Sequence, residues 1–178
     1  MKNLRTLLTL TAFLAMFSLS QAADRPNVGD PAPVATATTE QGVELNLADV
    51  YTSSPYTLVF FYPKAFTPGC TAQSCSLRDG YEALAKLGVT IIGVSTDTVE
   101  KQKKFKEEYK LPYTLIADIN KVVLKAFGQN ALMFASRQAF LIHDGKVVYV
   151  DTKGTTKDQA DQILKFLAPK PAAATAGE

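Results

Sequence analysis

The sequence predicts an α/β domain in which a mixed central β-sheet carries helices on both faces. Two observations lead to this prediction. Short apolar runs alternate with helix-like segments between residues 56 and 127, a pattern typical of a parallel sheet with right-handed crossovers. The turn sequence His143-Asp144-Gly145 then joins two further apolar runs, which adds an antiparallel hairpin to the same sheet.

The chain divides into three segments. Residues 1–22 have the form of a secretory signal peptide: two cations, an apolar run too short to span a bilayer comfortably, and a small-x-small site at Ser20-Gln21-Ala22. Residues 23–168, within a chain that is 47% hydrophobic, are sufficient for one domain with its own core. Residues 169–178 are rich in Ala and Pro and are predicted to be a disordered tail. An uncleaved membrane anchor is the alternative for the first segment.

Charge and compartment narrow the range of partners. Two of the 19 Lys and Arg residues lie in residues 1–22, which leaves 17 against 17 Asp and Glu. A net charge near zero gives no indication of binding to nucleic acid or to a membrane surface. Export after cleavage at Ala22 implies an oxidising compartment, the bacterial periplasm, where two cysteines most often form a structural disulfide.

A cysteine helix follows the most apolar strand. The run Tyr56–Phe61 is short, aromatic and β-branched, as expected of a buried strand. Thr67 is suited to the N-cap and Pro68 to the first position of a helix that we expect to continue to Leu87. Gly88 then ends the helix.

The two cysteines, Cys70 and Cys75, both lie in this helix. Cys70 falls in its first turn, where unpaired backbone N–H groups and the helix dipole stabilise a thiolate. Five residues of ideal helix separate the two Cα atoms by about 8–9 Å, whereas a disulfide requires less than about 7 Å. The spacing therefore indicates a redox switch in which the first turn must unwind before the two sulfurs can bond.

The other predicted elements follow the same periodicity and punctuation rules. They are a hairpin of Val34–Thr39 and Val43–Leu47, a helical turn capped by Asn46, strands at Val89–Val94 and Tyr113–Ala117, a helix capped by Asp97 or Thr98 and running to about Tyr109, a helix at Asn120–Phe127, strands at Gln138–Ile142 and Lys146–Val150, and a helix at Thr155–Leu167.

The stretch from Phe61 to Cys75 resembles the active-site motif of the peroxiredoxins. The resemblance rests on Pro63-x-x-x-Thr67-x-x-Cys70, and the Cys-x4-Cys spacing with the following Leu77-Arg78-Asp79 is similar to the peroxiredoxin Q, or bacterioferritin-comigratory-protein, subgroup. It implies a thioredoxin-like three-layer sandwich. It also implies thiol-dependent reduction of hydrogen peroxide and organic hydroperoxides, with no cofactor and no metal.

The resemblance assigns a role to each matching position. Cys70 is expected to be the peroxidatic cysteine and Cys75 the resolving cysteine that forms an intramolecular disulfide with it. Thr67 is expected to hydrogen-bond the thiolate and the bound peroxide, and Pro63 to shield the sulfur from water. Arg137, in Ser136-Arg137-Gln138, matches the distal arginine, a permanent cation beside the thiolate. The expected partners are the peroxides and a thioredoxin-like or glutaredoxin-like reductant, and a monomer is expected because no second chain has to supply a cysteine.

Three other functions stay open from the residues alone. A protein thiol–disulfide oxidoreductase usually carries Cys-x-x-Cys, which this chain lacks. A copper-delivery protein requires a histidine near the cysteines, and the single histidine, His143, lies in a hairpin. A binding module with an inert disulfide is the third. Peroxide consumption distinguishes the peroxidase from all three.

Overall fold

A computed structural model describes residues 24–129, 132 and 134–169. In chain order its elements are β1 (Thr36–Thr38), β2 (Glu44–Asn46), α1 (Leu47–Ser53), β3 (Tyr56–Phe61), α2 (Pro68–Asp79), α3 (Tyr81–Lys86), β4 (Val89–Ser95), α4 (Val99–Tyr109), β5 (Thr114–Ala117), α5 (Val122–Ala126), β6 (Gln138–His143), β7 (Lys146–Asp151) and α6 (Gln159–Leu167).

The central sheet has the strand order β5-β4-β3-β6-β7. Strand β3 pairs parallel with β4 and antiparallel with β6, and β7 extends the sheet antiparallel to β6. The predicted mixed sheet is therefore confirmed. Strands β1 and β2 form the predicted hairpin, a separate antiparallel pair.

Side chains of β3 alternate between two apolar cores, one on each face of the sheet. Val59 and Phe61 belong to the core that includes residues of α1 and α5. Leu58 and Phe60 belong to the core that includes residues of α2, α3, α4 and α6. All four side chains are fully buried. The domain therefore has three layers, and Cys70 belongs to the core on the face of the sheet that α2, α3, α4 and α6 cover.

The prediction of one helix from Pro68 to Leu87 is wrong in one respect, because the structure has two helices there, α2 and α3, separated at Gly80. A Cβ atom at Gly80 would lie only 2.6 Å from the Cβ atom of Ala160 in α6. The missing side chain therefore permits close packing of α6 at the junction. This requirement comes from tertiary packing, which helical periodicity does not reveal.

Two other helices begin later than predicted. The helix expected at Asn120 begins at Val122, after Lys121 in the left-handed region, and the carboxylate of Asp118 accepts hydrogen bonds from its first backbone N–H groups. The helix expected at Thr155 begins at Gln159. In both places a preceding loop occupies the positions that the apolar spacing assigned to the helix.

The predicted signal peptide, residues 1–22, and nearly all of the predicted tail lie outside the described residues. The domain boundaries at these two ends remain predictions. None of the helices in the described part of the chain has the length and apolar character needed to cross a membrane.

Candidate active site

The strand register determines where the predicted site residues meet. Phe61, the last residue of β3, pairs with Gln138, the first residue of β6. Because β3 and β6 run antiparallel, Arg137 immediately before β6 comes to lie beside the chain that leaves β3. That chain turns within six residues into α2, whose first turn contains Cys70. Two residues 67 positions apart in sequence are thus brought into contact.

The thiol of Cys70 is buried against a cation. Cys70 is 1% exposed, and Arg137 Nη2 donates to Cys70 Sγ over 3.3 Å. Gly69 provides the space for this contact, because a Cβ atom there would lie 3.0 Å from Arg137 Nη2. A guanidinium stays charged at all physiological pH values, and together with the start of α2 it stabilises a negative sulfur.

Thr67 and Pro68 start α2 as predicted, with a difference in the side chain of Thr67. Thr67 is the N-cap residue in its backbone conformation, and Pro68 follows at the first helical position. The Thr67 side chain makes no capping hydrogen bond, and its hydroxyl donates instead to the carbonyl oxygen of Lys64 over 2.9 Å. Pro63 lies half-buried between β3 and this turn.

The loop between β3 and α2 is anchored by residues at the carboxyl end of β4. Asp97 accepts hydrogen bonds from the backbone N–H of Ala65 over 2.7 Å and from the hydroxyl of Ser95 over 2.8 Å. Phe66 adopts φ 68°, a conformation that is uncommon for a bulky residue, and its ring packs edge-on against Phe105 of α4. The loop that presents Cys70 is therefore fixed by both polar and aromatic contacts.

Arg137 also takes part in a buried chain of amides. Its Nη1 atom donates to Gln73 Oε1 over 2.8 Å, and Gln73 Nε2 donates to Gln159 Oε1 over 2.9 Å. Gln159 Nε2 reaches Asp151 Oδ2 over 3.4 Å. Both glutamines are fully buried. The arginine is thus connected to β7 and α6 as well as to the cysteine.

Cys75 lies in the same unbroken helix as Cys70, and both are free thiols. Cys75 is half-buried, so it is the more accessible of the two. Beside it, Tyr113 donates its hydroxyl proton to the carbonyl oxygen of Ser74 over 2.8 Å. Burial raises the pKa of Tyr113 well above its usual range, so this donor stays protonated. The two cysteines cannot bond in this conformation, because an intact helix holds them too far apart.

His143 lies at the other end of β3 from the cysteines. It pairs with Tyr56, the first residue of β3, and stacks on that ring at 4.5 Å. Its Nδ1 atom lies 2.8 Å from the carbonyl oxygen of Pro55. In the part of the chain that the structure describes, no group of three or more His, Cys, Asp or Glu residues is placed to hold a metal ion.

Fold and site together define a class of protein: a cysteine-dependent peroxidase with a thioredoxin-like fold, in which a buried thiol lies at a helix start under an arginine. Comparison with known proteins agrees. Residues 28–150 match the model of the AhpC/TSA family. Peroxiredoxin Bcp of Escherichia coli is 38% identical over 148 residues, which cover 78% of this chain and 94% of that protein. Peroxiredoxin Bcp of Bacillus subtilis is 35% identical over 149 residues, 79% and 94% of the two chains.

Solved structures give the same assignment. Peroxidoxin BcpB from Mycobacterium tuberculosis superposes with a TM-score of 0.75 at 32% identity, covering 80% of this chain and 97% of that one. Peroxiredoxin Q from Xanthomonas campestris superposes with a TM-score of 0.68 at 25% identity, covering 75% and 89%. The chain belongs to the AhpC/TSA family. The predicted thioredoxin-like fold, the resemblance to the peroxiredoxin Q subgroup and the peroxidase function are confirmed.

The structure adds residues that the sequence analysis did not assign to the site. Gln73 lies three positions after Cys70, which places both on one helix face, and this spacing could have indicated it. Asp97 follows a strand parallel to β3, so its position at the same sheet edge was also predictable. Gln159 carries no local signal, because only the packing of α6 brings it to the arginine.

Proposed function

We propose that Cys70 is the peroxidatic residue of this chain and that it reduces hydrogen peroxide and alkyl hydroperoxides. The observation that carries the proposal is the contact of 3.3 Å between Arg137 Nη2 and the buried Cys70 Sγ. In the first step the thiolate attacks one peroxide oxygen. An S–O bond forms, the O–O bond breaks, and the leaving oxygen takes up a proton to become water or an alcohol.

Three neighbours are proposed to assist this step. Arg137 stabilises the thiolate and polarises the peroxide, because its positive charge also stabilises the negative charge that develops on the leaving oxygen. The Thr67 hydroxyl is close in sequence to Cys70, and it would have to leave the Lys64 carbonyl to donate to sulfur or peroxide. Pro63, half-buried after β3, is proposed to limit water at the sulfur.

Cys75 is proposed to resolve the sulfenic acid on Cys70. Its sulfur attacks Cys70 Sγ, an S–S bond forms, and the hydroxyl leaves as water with one proton. Since α2 is continuous through both residues, its first turns must unwind for this step. Cys70 is 1% exposed, whereas Cys75 is half-buried, which supports Cys75 as the sulfur that a protein reductant meets.

A dithiol of thioredoxin or glutaredoxin type is the proposed reductant, and the chain is proposed to act as a monomer. An intramolecular disulfide supports the monomer, because the cycle needs no cysteine from a second copy. The signal-like pattern in residues 1–22 supports action after export to a periplasm. Sedimentation of the reduced and oxidised protein tests whether the chain is a monomer. The N-terminal mass of protein recovered from secreting cells tests the proposed export.

The cysteine roles are tested with the reduced protein and one equivalent of hydrogen peroxide. The wild-type protein should lose both thiols and become about 2 Da lighter as two hydrogens leave. Cys75→Ser should instead gain one oxygen at Cys70 and persist as sulfenic acid or oxidise further. Cys70→Ser should consume no peroxide. Peroxide turnover by Cys70→Ser would show that the roles are wrongly assigned.

A further inference from the structure

Arg137 is fixed by more than its contact with Cys70. Gly69 and Gly154 lie against its side chain, and neither has a side chain of its own to confine it. Two hydrogen bonds of the guanidinium are seen in the structure. Nη2 donates to Cys70 Sγ, and Nη1 donates to Gln73 Oε1.

The hydrogen bonds beyond Gln73 run in one direction. An arginine can only donate and a carboxylate can only accept, so the two ends of the chain fix the orientation of both amides between them. Gln73 must present its oxygen to Arg137, which leaves its NH2 group for the oxygen of Gln159. The NH2 group of Gln159 then faces Asp151 Oδ2. The other carboxylate oxygen of Asp151, Oδ1, accepts a hydrogen bond from the backbone N–H of Lys153.

We propose that Gln159 is a positioning residue for Arg137, acting through Gln73. This inference rests on the proposed roles of Cys70 and Arg137. Gln159 does not touch the sulfur. It holds the Gln73 amide in the one orientation that offers an acceptor to Arg137, and so keeps the guanidinium over the thiolate before peroxide arrives.

Burial makes the loss of any hydrogen bond in this chain of amides costly. Gln73 and Gln159 are both 0% exposed, so water does not replace a lost partner, and an unsatisfied buried amide is costly. Without the Gln159 oxygen, the NH2 group of Gln73 would lose its partner, and the amide would be held only by its hydrogen bond from Arg137. The Gln73 oxygen would then be less firmly fixed, and Arg137 would be held less firmly beside Cys70 Sγ.

Replacement of Gln159 by methionine tests the proposal. Methionine has a similar length and fills the space without a donor or acceptor. Gln162→Met is the matched control, because Gln162 lies on the same helix but accepts hydrogen bonds from Tyr149 and Thr155, outside the amide chain. The first readout is the single-turnover rate of Cys70 oxidation in reduced protein. The second is the pH midpoint of Cys70 alkylation by iodoacetamide, which needs no peroxide.

Gln159→Met should slow Cys70 oxidation about fivefold, the effect of weakening one hydrogen bond to a charged group, and should move the alkylation midpoint to higher pH. Gln162→Met should do neither. In an Arg137→Met background, adding Gln159→Met should change nothing further, because the residue through which it acts is gone.

Equal losses with and without Arg137 would overturn the proposal, as would a folded Gln159→Met protein with wild-type rate and midpoint. If Gln159→Met does not fold, Gln159→Leu is measured against Gln162→Leu with the same two criteria. A wild-type protein that does not react with peroxide would instead refute the proposed function, and the alkylation midpoints would still decide the role of Gln159.

Discussion

Replacement of Arg137 by methionine measures what the cation contributes at the site. Methionine retains the apolar stem of the side chain and removes the charge and both contacts, 3.3 Å to Cys70 Sγ and 2.8 Å to Gln73 Oε1. A hydrogen bond to a charged group contributes about 1.5–3 kcal/mol. Loss of that stabilisation should slow the reaction of Cys70 with hydrogen peroxide about 10- to 150-fold at pH 7. Arg137→Lys should fall between the two proteins, because it retains the charge without the fork of donors.

The assay must follow thiol chemistry directly. The chain contains no tryptophan, so intrinsic tryptophan fluorescence cannot report the reaction. Reduced protein is mixed with peroxide, quenched with an alkylating agent at set times, and the oxidised fraction at Cys70 is measured by mass spectrometry. Arg25→Met, at an exposed arginine in the lead-in, is the matched control and should react like the wild-type protein. An Arg137→Met rate within twofold of the wild-type rate would refute the electrostatic argument.

Three further predictions concern the surroundings of the two cysteines. Gly69→Ala should fold normally yet slow peroxide reduction severalfold, because its Cβ atom would press on Arg137 Nη2 at 3.0 Å; a normal rate would show that the guanidinium has room to move. Tyr113→Phe should cost about 1 kcal/mol in the free energy of unfolding and accelerate disulfide formation, since the Ser74 carbonyl loses its outside donor; slower disulfide formation in quenched samples would contradict this. Burial raises the pKa values of Tyr62 and Tyr113 above 10.0, so as pH rises these tyrosines ionise in the unfolded chain before they do in the folded one. Their contribution to the free energy of unfolding is therefore fully present below pH 10. Above pH 10 the free energy of unfolding should fall by about 1.4 kcal/mol per pH unit for each tyrosine. Denaturant titrations at pH 8, 10 and 11 test this, and a slope unchanged in Tyr62→Phe would exclude that residue as a source.

Local chemistry explains which parts of the site were predictable. Cys70, Thr67 and Pro68 carry their positions in adjacent residues, because a helix start depends on a cap, a proline and a first turn. Arg137 was found through a motif, and its contact follows from the register of two strands. Gln159 and Gly80 were not assigned these roles, because their significance depends on how α6 packs against α2. Periodicity describes one element at a time and carries no information about such a pairing.

The packing of α6 against the junction of α2 and α3 has a consequence for how a reductant selects its substrate. The C-terminal part of α2 is fastened to α6, because Ser76 Oγ accepts a hydrogen bond from the Ala160 backbone N–H over 3.1 Å and Gly80 leaves no space against Ala160. The turn that holds Cys70 lies at the opposite end of α2, so the unwinding proposed for disulfide formation is expected to begin there and to release the hydrogen bond from Gln73 to Gln159. The surface around α3 and α6 would then look alike in the reduced and oxidised enzymes. A reductant that distinguishes the oxidised from the reduced enzyme would therefore have to contact the unwound turn around Cys70.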